Sequence, residues 1–387
     1  MVRKSWLLFA LALFVAFTTA HAAHAATYNV NFCFELEVDY GSTVSQGDYW
    51  INNSDKVARG IRAKISENGG DVVYLAYVDE DTGCTPTLSL SSTESYQVRL
   101  YSHSRVSYDN TVKVYIHYPE DVYHQQTVDW AFVPSFNGTA QYTYEIINNV
   151  HETNILAAAS YAVDQRRAGL SEHNFYFYTQ DCPSGGSCMS NGRIFLDAPY
   201  KDGLPEDKGR NSKFTIIHEL GHLIGWKRDG DQSAVCNYGD QGENNCLSID
   251  HPHHMDSREY QTAAAVEGNA HFYAAAIWND KYDNDCRYKD YDCESPGILA
   301  NKLGGCDGTH DNRGVEWDWL NFWWDMHSKA GLSVSDIFDI WDGANPHDWV
   351  ASSVYKRLRD AALDEGVYKL VWVYWAGRNG VTEGTWE

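Results

Sequence analysis

From Tyr28 to about His124 the chain alternates apolar and polar residues in short, β-branched and tyrosine-rich runs, the period-2 pattern of half-buried strands. It predicts strands over Tyr28–Glu37, Val72–Val78, Ser95–Tyr101 and Val112–Tyr118, with turns such as Glu67-Asn68-Gly69-Gly70 between them. Together these read as an antiparallel β-sandwich over 26–125. Around Gln125–Gly138 the pattern changes, and Ile146, Val150, Ile155, Ala158 and Val163 then fit a helix within Tyr142–Gly169. Strands follow at Phe175–Thr179 and Arg193–Leu196, then a charged loop over Lys201–Asn211, a helix over Ser212–Trp226 and another from about Ser257 to Trp278. An acidic loop spans Asp280–Cys306. Helical segments at Val315–Met326, Val334–Trp341 and His347–Asp364 and a final strand near Lys369–Trp375 complete the expected α+β fold, whose second domain is 126–387.

The first residues change the picture of where the protein acts. Arg3 and Lys4, an uncharged apolar run from Trp6 to Ala20 and the small-residue stretch through Ala25 make 1–25 a signal peptide, so the mature chain is expected outside the cytoplasm, extracellular or periplasmic. That run is shorter than the roughly 20 residues a bilayer span needs, and no membrane association is expected after cleavage. The net charge of −23 argues against nucleic acid or an anionic membrane as a partner. In an exported chain the nine cysteines read as disulfides. Cys182/Cys188 and Cys236/Cys246 suit short staples and Cys33/Cys84 a longer one, while Cys286, Cys293 and Cys306 leave one over. No C-x-x-C pair of a zinc ribbon occurs.

The chemistry concentrates in His218-Glu219-Leu220-Gly221-His222. Residues four apart on a helix share a face, so both imidazoles can reach one ion. Glu219 is rotated by about 100 degrees, which sets its carboxylate beside the open position where it can take a proton from water. Ile216, Ile217, Leu220, Leu223 and Ile224 are apolar, and a helix buried by them must satisfy its histidines and glutamate by some partner. Gly221 and Gly225 permit close backbone approach.

This string resembles the signature of the zincin metallopeptidases, His-Glu-x-x-His on the active-site helix. The resemblance implies Zn2+ as cofactor, His218 and His222 as ligands, Glu219 as general base, a zincin-like metallohydrolase domain over 126–387 and a protein or peptide as substrate. The metzincin continuation would place a histidine where Arg228 stands, and a guanidinium cannot ligate zinc. Glu267 is the better third ligand. Asp256 and Glu259 look like a capping pair opening a helix on whose apolar stripe Glu267 is central, and Glu267-Gly268-Asn269-Ala270 is similar to the third-ligand string of gluzincins. Asp229, Asp231 and the cluster His251, His253 and His254 compete for that role. His271, one turn on, could hydrogen-bond the ligand, stabilise an oxyanion or be a satisfied core histidine, and His310, His327 and several tyrosines stay open as the group that polarises a carbonyl.

The expected activity is therefore zinc-dependent peptide hydrolysis, with Arg193–Leu196 as the edge on which an extended substrate pairs. Two other readings remain: a binding protein or adhesin with a structural metal site, to which Trp317, Trp319, Trp323 and Trp324 lend weight, and a zinc hydrolase of non-peptide amides. Asp280, Asp283 and Asp285 lack the glycine and distal glutamate of an EF-hand.

Overall fold

The computed structural model describes residues 27–36, 38, 56–67, 70–91, 94, 96–106, 110–115, 125–130, 139–146, 150–165, 173–183, 186–197, 209, 212–234, 255, 258–295, 313–349 and 353–381. Residues 1–25, expected from the sequence to be a signal peptide, and Cys236, Cys246, Cys306, His251, His253, His254 and His310 lie outside them. The strands are β1 Thr27–Leu36, β2 Ile61–Glu67, β3 Val72–Tyr77, β4 Leu88–Ser91, β5 Tyr96–Val106, β6 Asn110–Tyr115, β7 Gln125–Trp130, β8 Thr139–Ile146, β9 His173–Tyr178, β10 Cys188–Ser190 and β11 Arg193–Phe195, with short pairs β12 Arg258–Tyr260 and β15 Arg313–Val315, and β13 Arg287–Tyr288 and β14 Tyr291–Asp292. The helices are α1 Val150–Asp164, α2 Lys213–Arg228, α3 Gln261–Trp278, α4 Glu316–Ser328, α5 Val334–Gly343, α6 Val354–Asp364 and α7 Lys369–Arg378. The protein is thus mixed α and β, with a largely helical C-terminal part.

The main sheet runs β10-β11-β9-β6-β5-β2-β3, with β7 also paired to β5, and a smaller sheet runs β4-β1-β8. The expected antiparallel sandwich is corrected in its pairing. β6 joins β9 in parallel and β1 joins β8 in parallel, so strands from both sides of residue 125 share each sheet. Alternation specifies which face of a strand is buried but not which strand lies beside it. A parallel neighbour needs a crossover, and α1 lies in the connection from β6 to β9. One face of the main sheet carries Ala63, Ile65, Val98, Leu100, Val112, Val114, Phe175, Phe177 and Ile194, all buried, and α1 packs on it through the core it shares with Ile155, Ala158, Ala159 and Ala162.

Three further expectations shift. Residues to Ile146 in the presumed helix Tyr142–Gly169 are strand β8, because their side of the chain is taken up by pairing with β1, and the helix starts at Val150. The Asp256/Glu259 capping pair does not open α3, since Arg258–Tyr260 pairs with β15 and the helix begins at Gln261. Lys369–Trp375 is helix α7 and not a strand. Its β-branched and aromatic composition is overridden because Trp372 and Ala376, four apart, are the residues the core takes up. Cys33–Cys84, Cys182–Cys188 and Cys286–Cys293 are disulfides, the last resolving two of the three cysteines the sequence left open. Among the described residues no helix is long and apolar enough to cross a membrane.

Candidate metal centre

Helix α2 starts cleanly because Ser212 stands at its N-cap and its hydroxyl accepts the Thr215 N–H at 3.1 Å. Ile216, Ile217, Leu220, Leu223 and Ile224 are fully buried, with neighbours in α1, α3, α5 and the β10–β11 hairpin. The crossing with α3 is close because Gly221 has no side chain: a Cβ there would stand 3.1 Å from the Ala270 Cα. On the far side of α3, a Cβ at Gly268 would lie 2.3 Å from the Trp319 Cβ of α4. Two glycines thus let three helices stack tightly, and the stack brings Glu267 against the histidines of α2.

Three donor atoms converge there. His222 Nε2 is 3.1 Å from His218 Nε2 and 3.1 Å from Glu267 Oε2, and His218 Nε2 is 3.2 Å from the same oxygen. Donors bound at 2.0–2.2 Å to a tetrahedral zinc are themselves roughly 3.3–3.5 Å apart, close to this triangle. The donor set also fits a cation chemically. Two ring nitrogens facing each other and one carboxylate oxygen cannot satisfy all their lone pairs with the protons available, whereas a divalent ion takes all three. A carboxylate oxygen of Glu219 lies within 4.8 Å of a ring nitrogen of His218 and of one of His222. Among the described residues His218 Nδ1 is buried without a hydrogen-bond partner.

Electrostatics follow from burial. His218 is held well below the usual histidine range by desolvation, reinforced by His271 and His222, so its imidazole is neutral as ligation requires. Burial alone would push the Glu267 carboxyl up, but His222 and the bonds from both rings outweigh it and hold the group well below its ordinary value, as a carboxylate. Glu219 is raised to about 7 by desolvation, against the opposing pull of His222 and of the Met189 backbone N–H, which donates to its carboxylate.

The structure adds residues around these four. His271, one turn beyond Glu267, bonds Glu316 rather than Glu267, Nε2 to Oε2 at 2.7 Å, and stacks on His218 with ring centroids 4.4 Å apart. Its Nδ1 is buried without a hydrogen-bond partner among the described residues, and it joins His218 and Glu267 in a second group of donors within 4.8 Å of one another. The buried Tyr288 lies 4.5 Å from His271 and 6.4 Å from His218 between ring centroids. Burial first, then Glu316, Glu219 and Glu267, push its phenol well above its ordinary range, so it stays protonated. Tyr288 stands in the β13–β14 hairpin closed by Cys286–Cys293. The spacing of those two cysteines is the signal that could have singled it out. Nothing local flags Glu316.

Several competing residues are engaged elsewhere. Asp229 ends α2 and accepts His347 Nδ1–H at 2.7 Å and the His347 backbone N–H at 3.2 Å. Asp231 pairs with Lys227 at 2.9 Å. Arg228, at the position where metzincins have a ligand, pairs with Asp339. His327 donates to the Leu332 carbonyl at 2.7 Å. Trp319, Trp323 and Trp324 are buried in the core. The substrate edge assigned to Arg193–Leu196 is corrected: β11 is enclosed between β9 and β10, and β10 is the terminal strand among the described residues. The dipeptide Asn191-Gly192, with φ of 50° and 72°, forms the two-residue turn that folds β10 over β11, and such a turn was legible in the sequence. β10 also supplies the Met189 N–H that reaches Glu219.

No family model and no curated protein matches the chain.

Proposed function

We propose that the protein is a zinc-dependent hydrolase, a zincin-type metallopeptidase with a gluzincin-like ligand set, in which His218, His222 and Glu267 hold the metal and Glu219 is the general base. The observation that carries this reading is the convergence of the three ligand atoms at 3.1–3.2 Å with the Glu219 carboxylate beside them. Bound zinc supplies Lewis acidity toward water and toward the scissile carbonyl. The remaining steps belong to the chain. Glu219, poised at about 7, takes a proton from the attacking water and returns it to the leaving amine. Tyr288, protonated and buried beside His271, donates to the oxygen on which negative charge develops. An extended peptide adds to the free edge of β10, where backbone pairing aligns the substrate without demanding a sequence.

One observation favours a second reading, a closed structural site. His271 has one nitrogen held by a carboxylate and the other buried and bare, the arrangement in which a carboxylate orients a metal-binding histidine. Four protein ligands leave no open position for water. Zinc analysis and casein cleavage of wild type, Glu219→Gln, Glu267→Ala and His271→Ala decide between the two. The hydrolase predicts stoichiometric zinc and cleavage in wild type, zinc without cleavage in Glu219→Gln, and loss of most zinc in Glu267→Ala. Zinc-replete wild type without cleavage, together with metal loss in His271→Ala, establishes the structural site instead.

A further inference from the structure

The face of the main sheet turned away from α1 has a different composition. Its outward positions on β2, β5, β6 and β11 include Arg62, Lys64, Arg99, Arg105, Lys113 and Arg193, against a single carboxylate at such a position among the described strands of the sheet, Asp129 of β7, across from Gln97. In a chain of net charge −23 this is a local reversal of sign. Four of the six cations lie over tyrosine rings: Arg62 Cζ lies 5.2 Å from the Tyr101 ring centroid, Arg105 Cζ 5.8 Å from Tyr77, Lys113 Nζ 5.3 Å from Tyr176 and Arg193 Cζ 5.8 Å from Tyr178. Arg62, Lys64, Arg99 and Lys113 are in no ion pair among the described residues. His103, in the midst of them, is lowered to about 4 by burial and then by Lys113 and Arg62.

We infer that this face is a binding surface for acidic polypeptide segments, separate from the metal centre. Three features select that ligand. The tyrosine rings are already capped by cations, so bases or sugar rings find few free aromatic faces to stack on, whereas carboxylates find fixed positive heads. Arg62 and Lys64 are two residues apart on one strand, with Arg99 directly across from Lys64. Same-side residues of a strand repeat at roughly 6.6–6.8 Å and neighbouring strands at about 4.8 Å, and an extended acidic peptide repeats its same-side carboxylates at the same roughly 6.6–6.8 Å. At physiological salt the Debye length is about 8 Å, so an approaching anion feels this face and not the distant acids of the molecule.

The test is binding of fluorescein-labelled poly-glutamate to the full chain, followed by anisotropy, with heparin and poly(dT) as competitors and sedimentation run alongside. Wild type binds poly-glutamate and weakens at least tenfold between about 50 and 300 mM salt. Arg62→Ser/Lys64→Ser/Arg99→Ser loses at least tenfold in affinity with unchanged circular dichroism, zinc content and hydrolysis of an uncharged peptide, while Lys64→Arg binds as wild type. The inference falls if poly-glutamate does not bind, if the triple variant binds it equally, if heparin or poly(dT) binds tighter, or if the triple substitution only dissolves a dimer. Glu219→Gln keeps full poly-glutamate binding, so failure of the hydrolase reading and failure of this one are told apart.

Discussion

Substituting Gly268 by alanine tests how the ligand triangle is held. The added Cβ would stand 2.3 Å from the Trp319 Cβ, 2.9 Å from the Glu316 carbonyl oxygen and 3.3 Å from the Leu320 nitrogen. Carbon atoms rest at about 3.5–4.0 Å, so α3 and α4 must separate by roughly 1.2 Å or more, because two of the three contacts are backbone. Overpacking of this kind costs about 1–3 kcal/mol, the upper figure where backbone must move as here, and the better helix propensity of alanine returns at most about 1, which leaves a destabilisation of roughly 2–3 kcal/mol. Glu267 is the preceding residue on the same backbone, and metal coordination tolerates only about 0.2 Å of error in each ligand distance. Zinc affinity is therefore expected to fall at least tenfold, with a lower urea midpoint for the metal-free protein. Gly377→Ala is the matched control: nothing lies within 4 Å of the Cβ it would add on α7, so the same change is expected to stabilise by up to about 1 kcal/mol and leave zinc untouched. The assays are urea unfolding with zinc removed and competitive zinc titration. A Gly268→Ala protein with wild-type midpoint and wild-type zinc affinity would refute both the tight helix stack and the role of Glu267 as a ligand.

Glu219→Gln should lower kcat at least 1,000-fold on casein or a peptide while retaining zinc, since it removes a proton acceptor without touching the ligands. Tyr288→Phe should lower kcat by about 10²–10³ with little change in KM, because a donor to developing charge acts in the transition state; an equal rise in KM would make Tyr288 a substrate-binding residue instead. Glu152 is buried and its carboxyl is raised from 4.5 to about 8 by desolvation, so the native state holds a proton that the unfolded chain releases. Its contribution to stability is complete below pH 4.5 and is lost as pH rises through about 8, with an upper bound of about 5 kcal/mol. Glu152→Gln should accordingly raise Tm at pH 8 and not at pH 4.5, and equal shifts at both would contradict the assignment.

Much of the centre was legible because its elements are local. A four-residue spacing on an apolar helix sets two imidazoles on one face with a carboxylate beside them wherever that helix lies. Glu267 was legible for a related reason, as a charge amid buried alanines that needs a partner. The short disulfide Cys182–Cys188 follows from proximity along the chain, whereas Cys286–Cys293 was one of several pairings open to Cys286, Cys293 and Cys306. What depended on the partner of each element was not legible. Strand alternation is the same for parallel and antiparallel neighbours, so the β6–β9 and β1–β8 pairings, and with them the enclosure of β11 and the outermost place of β10 among the described strands, were decided only when the sheet assembled. The β-rich composition of Lys369–Trp375 yielded to a core that took up Trp372 and Ala376. His271 looked the same in the sequence whether it served Glu267 or Glu316; the packing of α4 against α3 chose Glu316. The helix carrying His218 and His222 therefore belongs to the sequence, while the shape around it, from the approach of Glu267 across two glycines to the tyrosine beside it, belongs to packing, because contact distances between separate elements depend on every side chain between them and not on the order of residues in any one.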